Sequence, residues 1–186
     1  MGGNLGWGQN QGGFNGPGGP ITVTNTSSFL GGAQVGYNYQ FGGGGSGIVL
    51  GAEADFDWLF NSNNTTNATA GGVNVTSNNR WATLLDARLG YAFDRWLVYG
   101  KGGWAWIGSG NSCVTGPATP PAGCYANNSN YDWNAGAGVE WAFLNNLSAR
   151  LQYDYVGINS TSIGPFTGSG RSFQMIALGL NYKFGF

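Results

Sequence analysis

The chain has 186 residues, of which 36 are glycine and only 8% are charged, with 7 basic and 8 acidic side chains. So few basic residues leave no patch that could hold a nucleic-acid backbone, so we expect no nucleic-acid partner. Histidine is absent, which excludes His-based catalytic pairs and most catalytic zinc sites. The longest apolar runs, such as 48–50 and 96–99, are far shorter than the roughly 18 residues of a membrane-spanning helix.

Apolar residues alternate with small or polar ones along most of the chain, which is the period of a β-strand. In chain order the pattern predicts eight strands, at 2–9, 29–41, 47–60, 80–93, 96–108, 132–143, 147–159 and 173–186. All six prolines lie between these strands, in stretches rich in Gly, Asn, Ser and Thr. Since proline cannot donate to a strand ladder, their positions agree with the predicted boundaries.

The connections between the strands alternate in length. Long polar connections lie at 10–28, 61–79, 109–131 and 160–172, and short ones lie at 42–46, 94–95 and 144–146. This alternation is typical of bacterial outer-membrane barrels, which have long outer loops and tight periplasmic turns. We therefore predict an all-β protein with one domain over 1–186: an eight-stranded antiparallel up-and-down transmembrane β-barrel, whose long connections face outside and whose termini face the periplasm.

The direction in which the apolar faces of the strands point indicates whether the protein is surrounded by water or by lipid. In strand 147–159 Leu147, Leu151 and Tyr153 share one face, while Arg150 and Gln152 share the other. A soluble sandwich or a lipocalin-like barrel is the alternative, with the apolar face inside. The exposed surface of such a soluble protein would have to carry the charges. Most charged residues, however, lie in the middle of strands, on the face formed by small and polar residues. Apolar residues outside and charges inside favour a barrel in lipid.

The inward charges are expected to form one connected network that blocks the lumen. A turn at 144–146 places Glu140 directly opposite Arg150, which predicts a cross-strand ion pair. The turn at 94–95 places Arg88 opposite Lys101, so these two cations need acidic partners. The predicted members are Glu53, Asp86, Arg88, Lys101, Glu140, Arg150 and Lys183. The alternative is a set of separately hydrated charges around a thin water column.

The acidic run Glu53, Asp55 and Asp57 lies on one inward line of a strand. Its carboxylate oxygens have the chemistry of calcium ligands. We favour the simpler interpretation, in which they form ion pairs and are solvated within the lumen, and we expect no metal and no cofactor.

Two rings of aromatic residues flank the apolar band of the outer face. Amphipathic rings prefer the headgroup zone of a membrane, so two such rings indicate the girdles of a membrane barrel. The ring on the long-loop side contains Trp7, Trp58, Trp81, Trp104, Trp106 and Trp133. The ring on the short-turn side contains Phe41, Phe93, Trp96, Trp141, Phe143, Phe184 and Phe186.

Cys113 and Cys124 are the only cysteines, and both lie in the predicted outer loop 109–131. An oxidising outer surface favours a disulfide between them, which would stabilise the loop by about 2–3 kcal/mol. Two free thiols are the alternative.

Six segments of the predicted strands carry a family resemblance. They are 2–8, 32–37, 50–56, 87–93, 136–143 and 179–184, with sequences such as Ala87-Arg-Leu-Gly-Tyr-Ala-Phe93 and Gly179-Leu-Asn-Tyr-Lys-Phe184. In this order they resemble the small alphaproteobacterial outer membrane immunogenic proteins, which are relatives of the outer membrane protein A-type eight-stranded barrels. The resemblance implies an outer-membrane location and a porin-like label, and it carries no catalytic residues.

Two further expectations come from that family pattern. The family has an aromatic-rich half-strand before the first Gly-Gly, where this chain has Met1, so we expect a short or truncated first strand. The C-terminal Phe186 resembles the aromatic end that the barrel-assembly machinery recognises.

Three hypotheses for function follow. The first is a non-enzymatic outer-membrane barrel that anchors hydrated surface loops for envelope structure or surface interaction. We expect it to be a monomer in contact with outer-membrane lipid and lipopolysaccharide. The second is a narrow porin-like channel for ions or small solutes. The third, a membrane-embedded enzyme, would need an activated nucleophile and base, and no histidine is present to serve.

Overall fold

The computed structural model describes residues 1–16, 19–22, 26–42, 45–60, 63–68, 73–109, 112–115, 123–125, 130–158, 162–163 and 166–184. Within these ranges the chain forms only strands and turns, and no helix there is long and apolar enough to cross a membrane. The strands are β1 (Gly2–Gly16), β2 (Gly19–Thr22), β3 (Thr26–Phe41), β4 (Ser46–Phe60), β5 (Asn63–Ala68), β6 (Val73–Phe93), β7 (Trp96–Ser109), β8 (Ser112–Thr115), β9 (Gly123–Tyr125), β10 (Asn130–Ala142), β11 (Leu147–Ile158), β12 (Ser162–Ile163) and β13 (Phe166–Tyr182).

Eight of these strands form a closed antiparallel barrel. Around the barrel the order is β1, β3, β4, β6, β7, β10, β11 and β13, and each pairs with the next along the chain. β13 pairs in turn with β1, from Gly2 opposite Asn181 to Asn15 opposite Thr167, and this pairing closes the sheet. The predicted fold class, an eight-stranded up-and-down barrel, is confirmed.

The first strand starts at Gly2 as predicted, and it runs past the predicted end at residue 9 to Gly16. Its pairing with β3 reaches only to Gln34, so residues 35–41 of β3 extend beyond it at the N-terminal end, where the strand is short as expected. β1 has 15 residues and pairs with β13 on one side and with β3 on the other. Its many glycines and amides hide the alternation beyond Gln9, but the backbone groups still pair on both sides. Where β1 pairs on both sides, the closed sheet leaves no strand edge in lipid, where an unpaired backbone group is costly.

The short connections cluster at one end of the barrel, which we call the short-turn end. The β6–β7 hairpin turns through Asp94 and Arg95 alone, with Phe93 opposite Trp96 as predicted. Asp94 has a φ of 51°, a left-handed conformation that Asp tolerates better than most residues. Gly42 and Gly45 have positive φ angles in the β3–β4 turn.

At the opposite, long-loop end, strands extend into all four predicted connections. β1 and β3 continue into 10–28, β5 and β6 form a hairpin within 61–79, β8 and β9 pair within 109–131, and β13 begins at Phe166. Sequence alternation did not reveal these parts, because they are rich in Gly, Asn, Ser and Thr and contain few apolar residues. Outside the membrane such polar strands still satisfy their backbone groups by pairing.

The apolar residues of the barrel strands point outward. Along β11, Leu151 is 46% exposed, while its neighbours Arg150 and Gln152 are only 2% and 3% exposed. At the centre of β13, Leu178 is 64% exposed. A surface of this kind is stable only where lipid replaces water as the solvent.

Candidate functional site in the barrel lumen

Charged side chains from five strands meet in the middle of the lumen, because they occupy the positions of each strand that face inward. We call this set the charged layer. It consists of Glu53 and Asp55 on β4, Asp86 and Arg88 on β6, Lys101 on β7, Glu140 on β10, and Arg150 and Asp154 on β11. Each of these residues is at most 6% exposed.

Lys101 is surrounded by carboxylates. Its Nζ lies 2.8 Å from Asp86 Oδ2, 3.1 Å from Asp55 Oδ2 and 3.2 Å from Asp154 Oδ1. Glu53 Oε1 is a fourth neighbour at 3.5 Å. One ammonium group therefore holds together carboxylates from three strands.

Arg150 spans the lumen. Its Nη1 lies 2.6 Å from Glu53 Oε2 and its Nη2 lies 2.8 Å from Asp55 Oδ1. Nη2 also donates to Gln34 Oε1 on β3. Since β11 and β4 are four strands apart in either direction around the barrel, this side chain ties two opposite walls together.

Arg88 is held less closely than Arg150. Its guanidinium carbon lies 3.6 Å from the centroid of the Tyr99 ring, in cation–π geometry. Its Nη1 lies 3.5 Å from Glu53 Oε2 and 3.7 Å from Glu140 Oε2. Arg88 is directly opposite Lys101, and acidic side chains separate the two cations as expected.

The predicted ion pair between Glu140 and Arg150 is wrong, although the predicted register is right. The two residues are directly opposite, but no ion pair joins them within the described charged layer. Arg150 reaches instead across the lumen to two carboxylates on β4. Glu140 accepts a hydrogen bond from Ser148 Oγ and lies 3.7 Å from Lys183 Nζ, whose side chain is half-exposed.

Two members of the charged layer were absent from the predicted network. Asp55 and Asp154 each contact Lys101, and Asp55 also contacts Arg150. Both residues occupy inward-facing positions of their strands, so strand alternation alone was enough to include them in the predicted network. Their height along the barrel axis could not be predicted from single strands, because the strands are tilted and neighbouring strands are therefore staggered.

A second layer of the lumen was missed entirely. On the long-loop side of the charges, buried apolar side chains from six strands form one cluster, which we call the apolar layer. It contains Leu30, Leu59, Ala82, Leu84, Ala105, Ile107, Val156, Phe173, Met175 and Ala177. Adjacent apolar pairs such as Trp58-Leu59 and Leu84-Leu85 were the available signal, since two neighbours in a strand face opposite sides.

Glycine makes room for the largest side chain of the apolar layer. A Cβ on Gly8 of β1 would lie 2.3 Å from Phe173 Cζ. The Phe173 ring therefore lies over the backbone of the neighbouring strand. At 1% exposure it is among the largest fully buried side chains of the described residues.

A cavity of about 480 Å³ opens at the short-turn end. We call it the vestibule. Its lining includes Gln34, Asn38, Glu53, Arg88 and Glu140, so it ends at the charged layer.

The predicted aromatic residues lie on the outer face in two bands. On the long-loop side Trp58 is opposite Trp81 and Trp104 is opposite Trp133. On the short-turn side the rings of Trp96 and Trp141 stack with centroids 5.9 Å apart. Described members of the two bands also include Trp7, Trp106, Phe41, Phe93, Phe143 and Phe184. Phe186 lies outside the described residues.

The two cysteines lie on neighbouring short strands. Cys113 of β8 is directly opposite Cys124 of β9 in the backbone register. The disulfide between them stays a prediction.

Comparison with known proteins agrees with this geometry. The chain matches the family model described as an outer membrane protein beta-barrel domain over residues 1–184. It is 32% identical over 173 residues to the 31 kDa outer-membrane immunogenic protein of Brucella melitensis biotype 1, covering 89% of this chain and 70% of that protein. It is 29% identical over 163 residues to the 22 kDa outer membrane protein of Rhizobium leguminosarum bv. viciae, covering 86% and 68%. The crystal structure of Ail, the attachment invasion locus protein of Yersinia pestis, is similar with a TM-score of 0.45 at 12% identity, covering 98% of this chain and 97% of that one.

The family match and the barrel cover the same part of the chain. The matched residues run from the first barrel strand to the end of the last, and the outer face between them is the apolar surface that a membrane requires. The chain therefore belongs to the outer membrane protein beta-barrel domain family and is a protein of the outer membrane of a Gram-negative bacterium.

Proposed function

We propose that the protein is a closed, non-enzymatic barrel that anchors surface loops for envelope structure or for contact with the surroundings of the cell. The observation that carries this proposal is the double filling of the lumen. The charged layer and the apolar layer lie one above the other across the same interior. An eight-stranded barrel is just wide enough for side chains to fill it.

Each layer opposes water in its own way. To open the charged layer, Arg150 or Lys101 would have to leave carboxylates within 3.5 Å, and an unpaired buried charge costs several kcal/mol. The apolar layer offers passing ions no polar partner in place of their hydration. Both layers would have to rearrange together to form a continuous pore.

The long-loop end is the part of the barrel that we assign to the outer surface, in contact with lipopolysaccharide. The pairing of β5 with β6 and of β8 with β9 gives this end a folded framework. A disulfide between Cys113 and Cys124 would staple the β8–β9 pair. Protease added to intact cells should cut within 61–79 or 109–131 and spare the turn at 94–95. Cleavage that occurs only after outer-membrane disruption would contradict this orientation.

Conductance of the purified protein in a planar lipid bilayer tests the closed barrel. We expect no steady unitary conductance above that of the lipid alone, while a general porin in the same bilayer conducts. Phe173→Ala, which removes the largest ring from the apolar layer, should still conduct little, because the charged layer remains. A stable conductance from the wild-type protein would overturn the proposal.

A narrow channel is the second candidate, and the vestibule favours it. This cavity reaches from the short-turn end to Glu53 and Arg88, so part of the path already exists. If the wild-type protein conducts and Arg150→Ala raises the conductance, the channel becomes the better description.

A further inference from the structure

Acidic and basic groups are unequal in number inside the lumen. Among the residues whose side chains the structure describes, seven carboxylates are buried, but only three cationic side chains are: Arg88, Lys101 and Arg150. Asp132 is engaged in an interaction of its own and can be set aside. Lys183 approaches Glu140 but is half-exposed. Six carboxylates thus face three buried cations and one partly solvated cation, and a buried excess of one charge is strongly unfavourable.

The excess is concentrated at Asp57. Its side chain is 2% exposed, and no Lys or Arg nitrogen among the described residues forms an ion pair with it. The other β4 carboxylates, Glu53 and Asp55, each contact both Lys101 and Arg150. Asp57 Oδ1 also has no hydrogen-bond partner.

A second unpartnered oxygen belongs to Asn4, whose side chain contacts Asp57. Asn4 of β1 and Asp57 of β4 stand directly opposite Gly32 of β3, one on each side. Because Gly32 has no side chain, nothing separates them, and a Cβ there would lie 2.3 Å from Asp57 Oδ1. The Asn4 side chain is a hydrogen-bond partner of Asp57. Asn4 Nδ2 donates to Gln34 Oε1 at 3.3 Å, and Asn4 Oδ1, buried in a side chain only 6% exposed, has no partner.

We propose that this niche, formed by Asn4, Gly32 and Asp57, binds an exchangeable monovalent cation such as Na⁺. Both free atoms are oxygens, and carboxylate and amide oxygens are the ligands of hard cations. A bound cation would neutralise Asp57 and reduce the excess of negative charge in the lumen.

The niche favours a monovalent ion over a chelated divalent one. In the described part of the chain, no three His, Cys, Asp or Glu side chains are arranged to hold a metal ion. The niche supplies one carboxylate and one amide oxygen, so water must complete the coordination. Such a site has little charge to offset the dehydration of a divalent ion.

The vestibule brings a cation close to the niche, although neither Asn4 nor Asp57 lines this cavity. Gln34, the hydrogen-bond partner of Asn4, lines this cavity together with Glu53. An ion entering from the short-turn end would meet the Glu53 carboxylate first. The apolar layer lies on the other side, so exchange is expected through the short-turn end alone.

Unfolding of the full chain in detergent micelles tests the proposal. Urea unfolding is followed by tryptophan fluorescence in NaCl and in N-methyl-D-glucamine chloride at equal ionic strength and pH, since the large organic cation cannot enter the niche. We expect a higher unfolding midpoint in NaCl. Asp57→Asn should abolish that difference, while Asp94→Asn, the same change at an exposed turn, should preserve it.

Three outcomes would overturn the cation site. They are equal wild-type stability in the two salts, full sodium dependence in Asp57→Asn, and wild-type stability that changes with pH but not with sodium, since a proton then neutralises the carboxylate. Should Asp57→Asn fail to fold, ²³Na NMR of the wild-type barrel decides. The resonance should broaden with added protein and sharpen when K⁺ competes, and a line width equal to that of empty micelles refutes the site.

Discussion

Removal of the Arg150 guanidinium is the most direct perturbation of the charged layer. Arg150 contacts Glu53 at 2.6 Å and Asp55 at 2.8 Å, and its side chain is fully buried. At an effective dielectric constant of about 20, each contact has a Coulomb energy of about 6 kcal/mol before desolvation. Desolvation of the ions cancels much of this gain, so the relevant quantity is the cost of leaving the carboxylates without their partner.

Loss of one partner from a buried pair typically costs about 3–5 kcal/mol. We expect Arg150→Ala to lose at least that much, because two carboxylates lose a partner and the lumen already holds an excess of acidic groups. The assay is reversible urea unfolding in detergent or lipid vesicles, followed by tryptophan fluorescence. Lys183→Ala is the matched control, since that half-exposed ammonium lies 3.7 Å from Glu140 and exposed pairs contribute about 1 kcal/mol or less.

The double variant Arg150→Met with Glu53→Gln separates charge from packing. It fills much of the space but removes one uncompensated carboxylate, so it should recover part of the lost stability. A loss below about 1 kcal/mol in Arg150→Ala would refute the reasoning, because it would mean that water already solvates these carboxylates in the folded barrel.

Two further comparisons test the outer face and the wall of the barrel. Leu151→Arg should impair insertion into lipid vesicles far more than Gln152→Arg, because Arg facing lipid near the midplane costs about 2–4 kcal/mol; equal folding yields would mean that the inward and outward faces are reversed. Gly32→Ala should lower the unfolding midpoint, since its Cβ would lie 2.0 Å from a backbone oxygen, whereas Gly102→Ala meets nothing closer than 3.5 Å. Indistinguishable midpoints for these two variants would contradict the close approach at Gly32.

Most of the barrel could be predicted from the sequence because lipid imposes a strict two-residue period. The inward position of Arg150 and the outward position of Leu151 follow from that period alone. The registers of the hairpins could also be predicted from the sequence, because the length of a turn determines which residues are opposite each other. Arg88 and Lys101 are an example. These features depend only on residues that are near each other in sequence.

Contacts across the lumen could not be predicted in the same way. Arg150 pairs with Glu53 and not with Glu140 because its long side chain extends across the lumen to the opposite strand. Arg150 and Glu53 are 97 residues apart in sequence. The apolar layer was missed because each strand contributes only one to three residues to it. The polar strand extensions at the long-loop end lack a pattern because their sequences contain few apolar residues.

The apolar layer also bears on how much of this protein a membrane can hold. An outer membrane protects the cell only while its permeability stays low, and every open barrel adds a leak in proportion to its copy number. On the proposal of a closed barrel, a protein with an internal seal of Leu, Val, Ile, Phe and Met side chains adds none. Such a protein can be produced in large amounts, and can present many copies of its loops, without an osmotic burden on the cell.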